Sequence, residues 1–233
     1  MKILAFDTSS QALSVALTEN GNLLGKIDVT IKKNHSITLM PAIDFLMANI
    51  GLTPQELDRI AVAKGPGSYT GLRIAVTTAK TLASTLGIDL VGVSSLAAIA
   101  RNADVSGKIV PLMDARRQNV YAGVYEHGMA IKKDCHTALS ELLDSLKNEA
   151  DITFTGEVAP FRELISQELP QAKFIENSER RLPNAFQIAR IGAVGEIADV
   201  DTFVPNYLKK VEAEEKWLET HDESTDTRYI QKI

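Results

Sequence analysis

The sequence predicts an α/β protein of two lobes, each built on a mixed sheet flanked by helices. Three observations predict it: an antiparallel meander opens the chain, strands and helices alternate after it, and a polar break at Asp104-Val105-Ser106-Gly107 is followed by a second strand-first pattern. With 233 residues, 45% of them hydrophobic, the chain can fill one large core or two smaller ones.

The meander runs through KILAFDT, then QALSVALT with Leu13, Val15 and Leu17 alternating, then LLGKIDVTI beyond a turn at Asn20-Gly21-Asn22. His35 to Ile50 has helical spacing, and Thr53-Pro54-Gln55-Glu56 combines a capping residue, a first-turn proline and a glutamate three places on. RIAVAK reads as a buried strand ending at the glycine loop GPGSYTG. Tyr69 to Leu86 reads as a long helix, DLVGV as a strand and SSLAAIARNA as a helix. Beyond the break come a strand at KIVPLMDA, a hairpin through QNVYAGVYEHG, a helix over residues 138–149, a strand at DITFTG, a helix over 160–169, a strand at AKFIE and a helix over 184–200. The lobes therefore fall at residues 1–106 and 107–233, with the segment from about residue 205 placed to pack back on the first lobe. An aspartate ends the first strand of each half, Asp7 and Asp114, a faint sign of internal duplication.

Composition narrows the function classes. A formal net charge of −5 gives no global basic field of the kind nucleic-acid binders carry. Basic pairs at Lys32-Lys33, Arg116-Arg117, Lys132-Lys133, Arg180-Arg181 and Lys209-Lys210 are solvated surface unless the fold brings several together. Residues 211–233 hold seven acids against three bases, the composition of a solvated end. The single cysteine, Cys135, excludes an intrachain disulfide and a cysteine zinc cluster. No apolar run approaches the ~20 residues a membrane span needs, and MKILAFDTSS lacks a cleavable secretory pattern. The expectation is a cytoplasmic protein without membrane contact.

The glycine loop raises the question of a nucleotide. A Walker loop needs G-x-x-x-x-G-K-[ST], which GPGSYTGLR does not supply, and Gly65, Gly67 and Gly71 miss the Rossmann spacing. Ser68, Tyr69, Thr70 and Gly71 still stand at a helix N-terminus, where free N–H groups favour an anion; the competing reading is a tight capped turn. The hairpin turn Asp7-Thr8-Ser9-Ser10 resembles the phosphate turn of two-lobed ATPases of the actin and sugar-kinase type. The second lobe lacks the matching glycine-rich turns, so these four residues read as vestigial nucleotide contacts, half of a cleft. The histidines His35, His127, His136 and His221 are scattered and form no metal pair, and no G-x-S-x-G elbow is present for a hydrolase. Expectations are thus no metal and no catalytic residue.

The helices carry more information. Gly71, Ala75, Ala79 and Ala83 recur every fourth residue, a ridge that admits close approach of another helix. Between His35 and Ile50, ten of sixteen residues are apolar, more than one buried stripe requires. Either that helix is buried on several sides or it offers a face to a partner.

With these stretches assembled, the chain resembles the TsaB (YeaZ) family of tRNA N6-threonylcarbamoyladenosine synthesis through ILAFDTSSQALSVAL, HSITLMPAIDFLM, AVAKGPGSYTGLRIAVTTAKTLA, LVGVSSLAAIA, DARRQNVYAGVY and PNYLKKVEAEEKW. The family's usual hairpin has a glycine after the two arginines, where this chain has Gln118. The resemblance implies an actin-like (ribonuclease H-like) two-lobed fold with a reduced second lobe, paralogous to the catalytic subunit TsaD. TsaD's helical histidine pair has no counterpart after SSLAAIA, where Arg101-Asn102-Ala103 follows. It further implies a non-catalytic scaffold that binds TsaD, with the ATPase TsaE joining, tRNA met only through the complex, and a homodimer where TsaD is absent. No cofactor is then required by the chain alone, with ATP or ADP at the assembled complex. The interface carried over lies on the first two helices: His35, Leu39, Met40, Ile43 and Met47, then Tyr69, Gly71, Arg73, Ala75, Thr78, Ala79 and Leu82. Alternatives are an independent actin-like ATPase, a peptidase, and a tRNA-binding module using Arg116 and Arg117.

Overall fold

The computed structural model describes residues 1–30 and 34–209. Strands β1 (Lys2–Asp7), β2 (Ala12–Glu19) and β3 (Asn22–Thr30) form the meander, followed by α1 (His35–Ile50), β4 (Arg59–Gly65), α2 (Tyr69–Leu86), β5 (Asp89–Ser94) and α3 (Ser95–Ala103). The second half repeats this succession with β6 (Lys108–Asp114), β7 (Asn119–Glu126), β8 (Met129–Ala138), α4 (Leu139–Leu146), β9 (Ile152–Gly156), α5 (Arg162–Glu168), β10 (Lys173–Phe174) and α6 (Ala185–Gly192). The sheets have the orders β3-β2-β1-β4-β5 and β8-β7-β6-β9-β10, with antiparallel and parallel pairs at matching places. The duplication is thus complete in topology although little sequence repeats.

The period-two pattern of β1 divides the first lobe's core. Leu4 and Phe6 face the cluster beneath α1 and α2, while Ile3 and Ala5 face Ala185, Ile188 and Ala189 of α6. A sheet covered on both faces explains why β1, β2 and β4 are buried almost throughout. The second sheet shares one core with α4 and α5. Helix α3 joins the lobes, its Leu96, Ile99 and Ala103 packing with Ile109, Met113 and Tyr125 of the second sheet.

Three elements differ from the sequence expectation. The hairpin expected within QNVYAGVYEHG is longer: that stretch holds β7 alone, and the return strand β8 lies beyond it, an edge strand whose side chains are all exposed or half-buried and give no buried face to mark it. α4 and α6 are shorter than expected; α6 stops at Gly192, and the chain turns to run beside β5, where the Ala198 N–H donates to the Leu90 carbonyl at 2.8 Å. The return to the first sheet therefore begins near residue 184, not 205. It continues through buried Phe203, the Asn206 N–H bond to the Lys64 carbonyl at 2.6 Å, and Tyr207 stacked on Tyr69 with centroids 4.9 Å apart. Lys32-Lys33, Lys210 and the acid-rich residues 211–233, including His221, lie outside the described residues. Among the described residues no helix is long and apolar enough to cross a membrane.

Candidate functional site: an outer helix face and an interlobe cleft

The apolar excess of α1 is split between two faces. Leu39, Ala42, Ile43, Leu46 and Met47, at the three-and-four spacing of one helical stripe, are buried in the first core. Ile37, Met40 and Phe45 point the other way and are 70%, 46% and 61% exposed. Exposed Pro41 and Ala48 extend this face around Asp44. Leu39, Ile43 and Met47, expected at the interface, are therefore core residues, and of the α1 residues chosen only Met40 is fully on the surface. Sequence reasoning missed Ile37 and Phe45; they are what remains once the best-fitting stripe is assigned to the core.

On α2 the correction is larger. Gly71, Ala75, Ala79 and Ala83 are all buried within the lobe, so the small-residue ridge seats α2 on its own core and offers no surface. Gly71 makes the closest approach: a Cβ there would overlap the Thr8 carbonyl oxygen, and one on Gly67 would overlap that of Ser9. Thr78 and Leu82 are half-buried, leaving Tyr69 and Arg73 as the exposed members of the expected set. Arg73 donates to the Tyr69 hydroxyl at 3.3 Å and lies 5.5 Å from its ring centroid. His35 is half-buried, its Nε2 3.0 Å from the Ser10 carbonyl oxygen, tying α1 to the first turn.

The glycine loop closes on the Asp7–Ser10 turn. The Thr8 hydroxyl donates to the Gly71 carbonyl at 2.7 Å, the Ser68 N–H to the Ser9 carbonyl at 2.7 Å, and the Gly71 N–H to the Ser68 hydroxyl at 3.3 Å. Two donors that a phosphate at this helix terminus would use are thus spent inside the chain. Asp7 is wholly buried; its Oδ1 accepts from the Ser9 N–H at 2.8 Å while its Oδ2 has no hydrogen-bond partner among the described residues. Burial pushes its carboxyl up to about 6, against the opposing pull of the Ser9 N–H.

Between the lobes lies a cleft of about 890 Å³, bordered by Ser9, Ser10, Tyr69 and Tyr207 on one side and Arg116, Tyr121 and Glu157 on the other. Of the four residues expected as vestigial nucleotide contacts, Ser9 and Ser10 border this cleft and Asp7 and Thr8 lie behind it. Across the cleft, Arg116, Arg117 and Gln118 have φ of 67°, 53° and 64°, three successive residues other than glycine in the left-handed region. A third arrangement fixes the lobes to each other. The Ser94 and Tyr125 hydroxyls both donate to the Asp134 carboxylate, and Ser94 also caps α3 by accepting from the Ala97 N–H at 3.1 Å. Burial raises the Asp134 carboxyl and the Tyr125 hydroxyl above their ordinary ranges. Among the described residues no group of three or more His, Cys, Asp or Glu is placed to hold a metal ion.

Residues 25–217 match the family described as TsaD, tRNA N6-adenosine threonylcarbamoyltransferase. The tRNA threonylcarbamoyladenosine biosynthesis protein TsaB of Bacillus subtilis is 39% identical over 227 residues, covering 94% of this chain and 99% of that protein. The chain belongs to the TsaB family. The Escherichia coli TsaB is 30% identical over 129 residues, 54% of this chain and 55% of that protein. The structure of YeaZ from Pseudomonas aeruginosa superposes with a TM-score of 0.76 at 28% identity, covering 89% of this chain and 99% of that one. At 11% identity and a TM-score of 0.52, the activator of 2-hydroxyisocaproyl-CoA dehydratase from Clostridium difficile, solved with ADPNP, shares the fold alone, over 95% of this chain and 99% of that one. The fold is the two-lobed, actin-like one, with helices of unequal length in the two lobes of this chain.

Proposed function

We propose that this chain is a non-catalytic subunit of tRNA threonylcarbamoyladenosine synthesis that docks onto TsaD through the outer face of α1 and the head of α2. The observation that carries the reading is the uncovered stripe of Ile37, Met40 and Phe45, adjoined by exposed Tyr69 and Arg73. An apolar face of this kind on a helix whose other face is already buried suits a protein partner. TsaD transfers the threonylcarbamoyl group to the adenosine next to the anticodon in tRNAs reading codons that begin with A; TsaE joins the assembly, tRNA is met only there, and ATP or ADP acts at the assembled complex. The chain's contribution is differential binding: it stabilises the competent conformation of TsaD by contacting that conformation better than others. Without TsaD the same face pairs with a second copy.

The internal use of the Ser68 and Gly71 donors argues against an independent ATPase. The names of the curated relatives and the match to the TsaD family support a place in this pathway. The test is reconstitution of the modification from TsaD, TsaE, tRNA and the threonylcarbamoyl-adenylate, with and without this chain. Modification is expected to depend on the chain and to fall at least tenfold with Phe45→Asp, in step with lost co-elution with TsaD. Full activity of that variant, or of the mixture lacking the chain, would overturn the scaffold. ATP turnover by the chain alone, abolished by Asp7→Asn, would put the ATPase in its place.

A further inference from the structure

On the face of the first sheet opposite α1, an open polar cavity of about 290 Å³ is bordered by α3, α6, the edge strand β3 and the short turn of helix Glu179–Arg181. Four cations, Lys26, Arg101, Arg180 and Arg190, and two acids, Asp104 and Glu179, border it. No consecutive run of sequence announces the cations, since they come from four separate elements. Two are already neutralised, Lys26 by Asp28 at 2.5 Å and Arg180 by Asp104 at 3.1 Å. Arg101 and Arg190 have no carboxylate partner among the described residues; Arg190 only rests over the Phe186 ring at 5.8 Å. Both border the same cavity, and burial and then the neighbouring Arg190 charge lower the pKa of the Arg101 guanidinium.

We infer that this cavity binds a phosphate group, with Arg101 and Arg190 gripping its oxygens. Two planar guanidiniums match phosphate oxygens in bidentate fashion, and an anion between them removes a repulsion that the fold alone leaves in place. The cavity is large enough for a phosphate with one sugar and too small for a whole folded partner element. Such a group comes either from an RNA backbone or from a free nucleotide; the RNA source rests on the function proposed above, and the phosphate site does not.

Thermal unfolding of the full chain in sodium phosphate, against sodium chloride of equal ionic strength, tests the site. Phosphate at several times its dissociation constant is expected to raise the wild-type midpoint by about 2–4 °C and to lose that increment in Arg190→Gln. Arg190 is exposed, so its replacement leaves the core intact; Arg101→Gln serves as the second variant. An absent phosphate-specific increment in the wild type, or the same increment in both variants, overturns the site. The source is read from tRNA binding by the assembled complex across a salt series. A slope of log K against log salt that falls by roughly one in Arg190→Gln assigns the phosphate to RNA. An unchanged slope beside a phosphate increment keeps the site, overturns RNA as its source, and leaves adenosine monophosphate, titrated on the chain alone, as the ligand to raise the midpoint. Because the phosphate measurement uses this chain without TsaD, it stands or fails separately from the docking proposal.

Discussion

Helices α1 and α4 occupy the same place in the repeated topology, each following its meander, yet they meet solvent differently. α4 buries Leu139, Leu142, Leu143 and Leu146 and turns Ser140, Glu141, Asp144 and Ser145 outward. α1 buries an equivalent stripe and turns Ile37, Met40 and Phe45 outward. Both solve one packing problem, and a single stripe suffices for it. The second stripe on α1 is therefore not explained by folding of the lobe, and the contrast supports the proposed docking role more directly than α1 alone does. The same contrast holds for length: α1 and α2 have 16 and 18 residues, α4 and α5 have 8 and 7.

The harshest way to break this comparison is to place a charge on the side of the first-lobe helices assigned to the core. Ala79→Glu buries a carboxylate against the sheet and is expected to destabilise the lobe by more than about 3 kcal/mol, read as a large drop in the denaturant midpoint. A variant as stable as the wild type would return the α2 ridge to the surface. The next test sharpens the contrast between outer faces. Phe45→Asp is expected to weaken self-association by at least about tenfold in sedimentation equilibrium, with unfolding free energy changed by less than about 0.5 kcal/mol. Ser140→Asp, on the matching face of α4, is expected to change neither.

The matched turns differ as well, since Asp7 is wholly buried whereas Asp114 is exposed. A folded-state value of about 6 for Asp7, above the ordinary ~3.9 of an unfolded chain, means that the fold holds its proton. Its stabilising contribution is present below about pH 4 and is lost as pH rises to about 6. Asp7→Asn is expected to add on the order of 1–3 kcal/mol at pH 7 to 8 and nothing at pH 4, measured by urea unfolding at each pH. An equal effect at both values would show that Asp7 does not act through its charge. The smallest effect belongs to the opposite turn. Gln118→Gly relieves a left-handed residue and is expected to stabilise by about 0.5–1 kcal/mol, seen as a rise of a few degrees in melting temperature.

Periodicity made β1, β2, β4, α1 and α2 legible, because a buried face imposes its repeat on the chain. It could not place β8, since an exposed edge strand such as Lys132-Lys133-Asp134 has no face to impose one. The candidate surface was legible in amount but not in position. Counting apolar residues detected the surplus on α1 without saying that Leu39, Ile43 and Met47 were the inner set. Small residues on α2 correctly signalled close approach, but smallness is indifferent to what approaches, and Gly71 meets the chain's own Thr8. The Ser94–Tyr125–Asp134 arrangement joins residues 31 and 40 positions apart and left no local trace.

The position of α6 has a consequence for how the protein is made. The face of the first sheet formed by Ile3, Ala5, Ala61 and Val91 is covered by Ala185, Ile188 and Ala189, which leave the ribosome late. The second sheet needs only residues 108–174 for all its strands. Vectorial synthesis therefore finishes the C-terminal half's sheet while the N-terminal half still waits with one greasy side bare, reversing the usual order in which the first-made domain folds first. A nascent chain stalled before residue 185 is the state a chaperone should recognise.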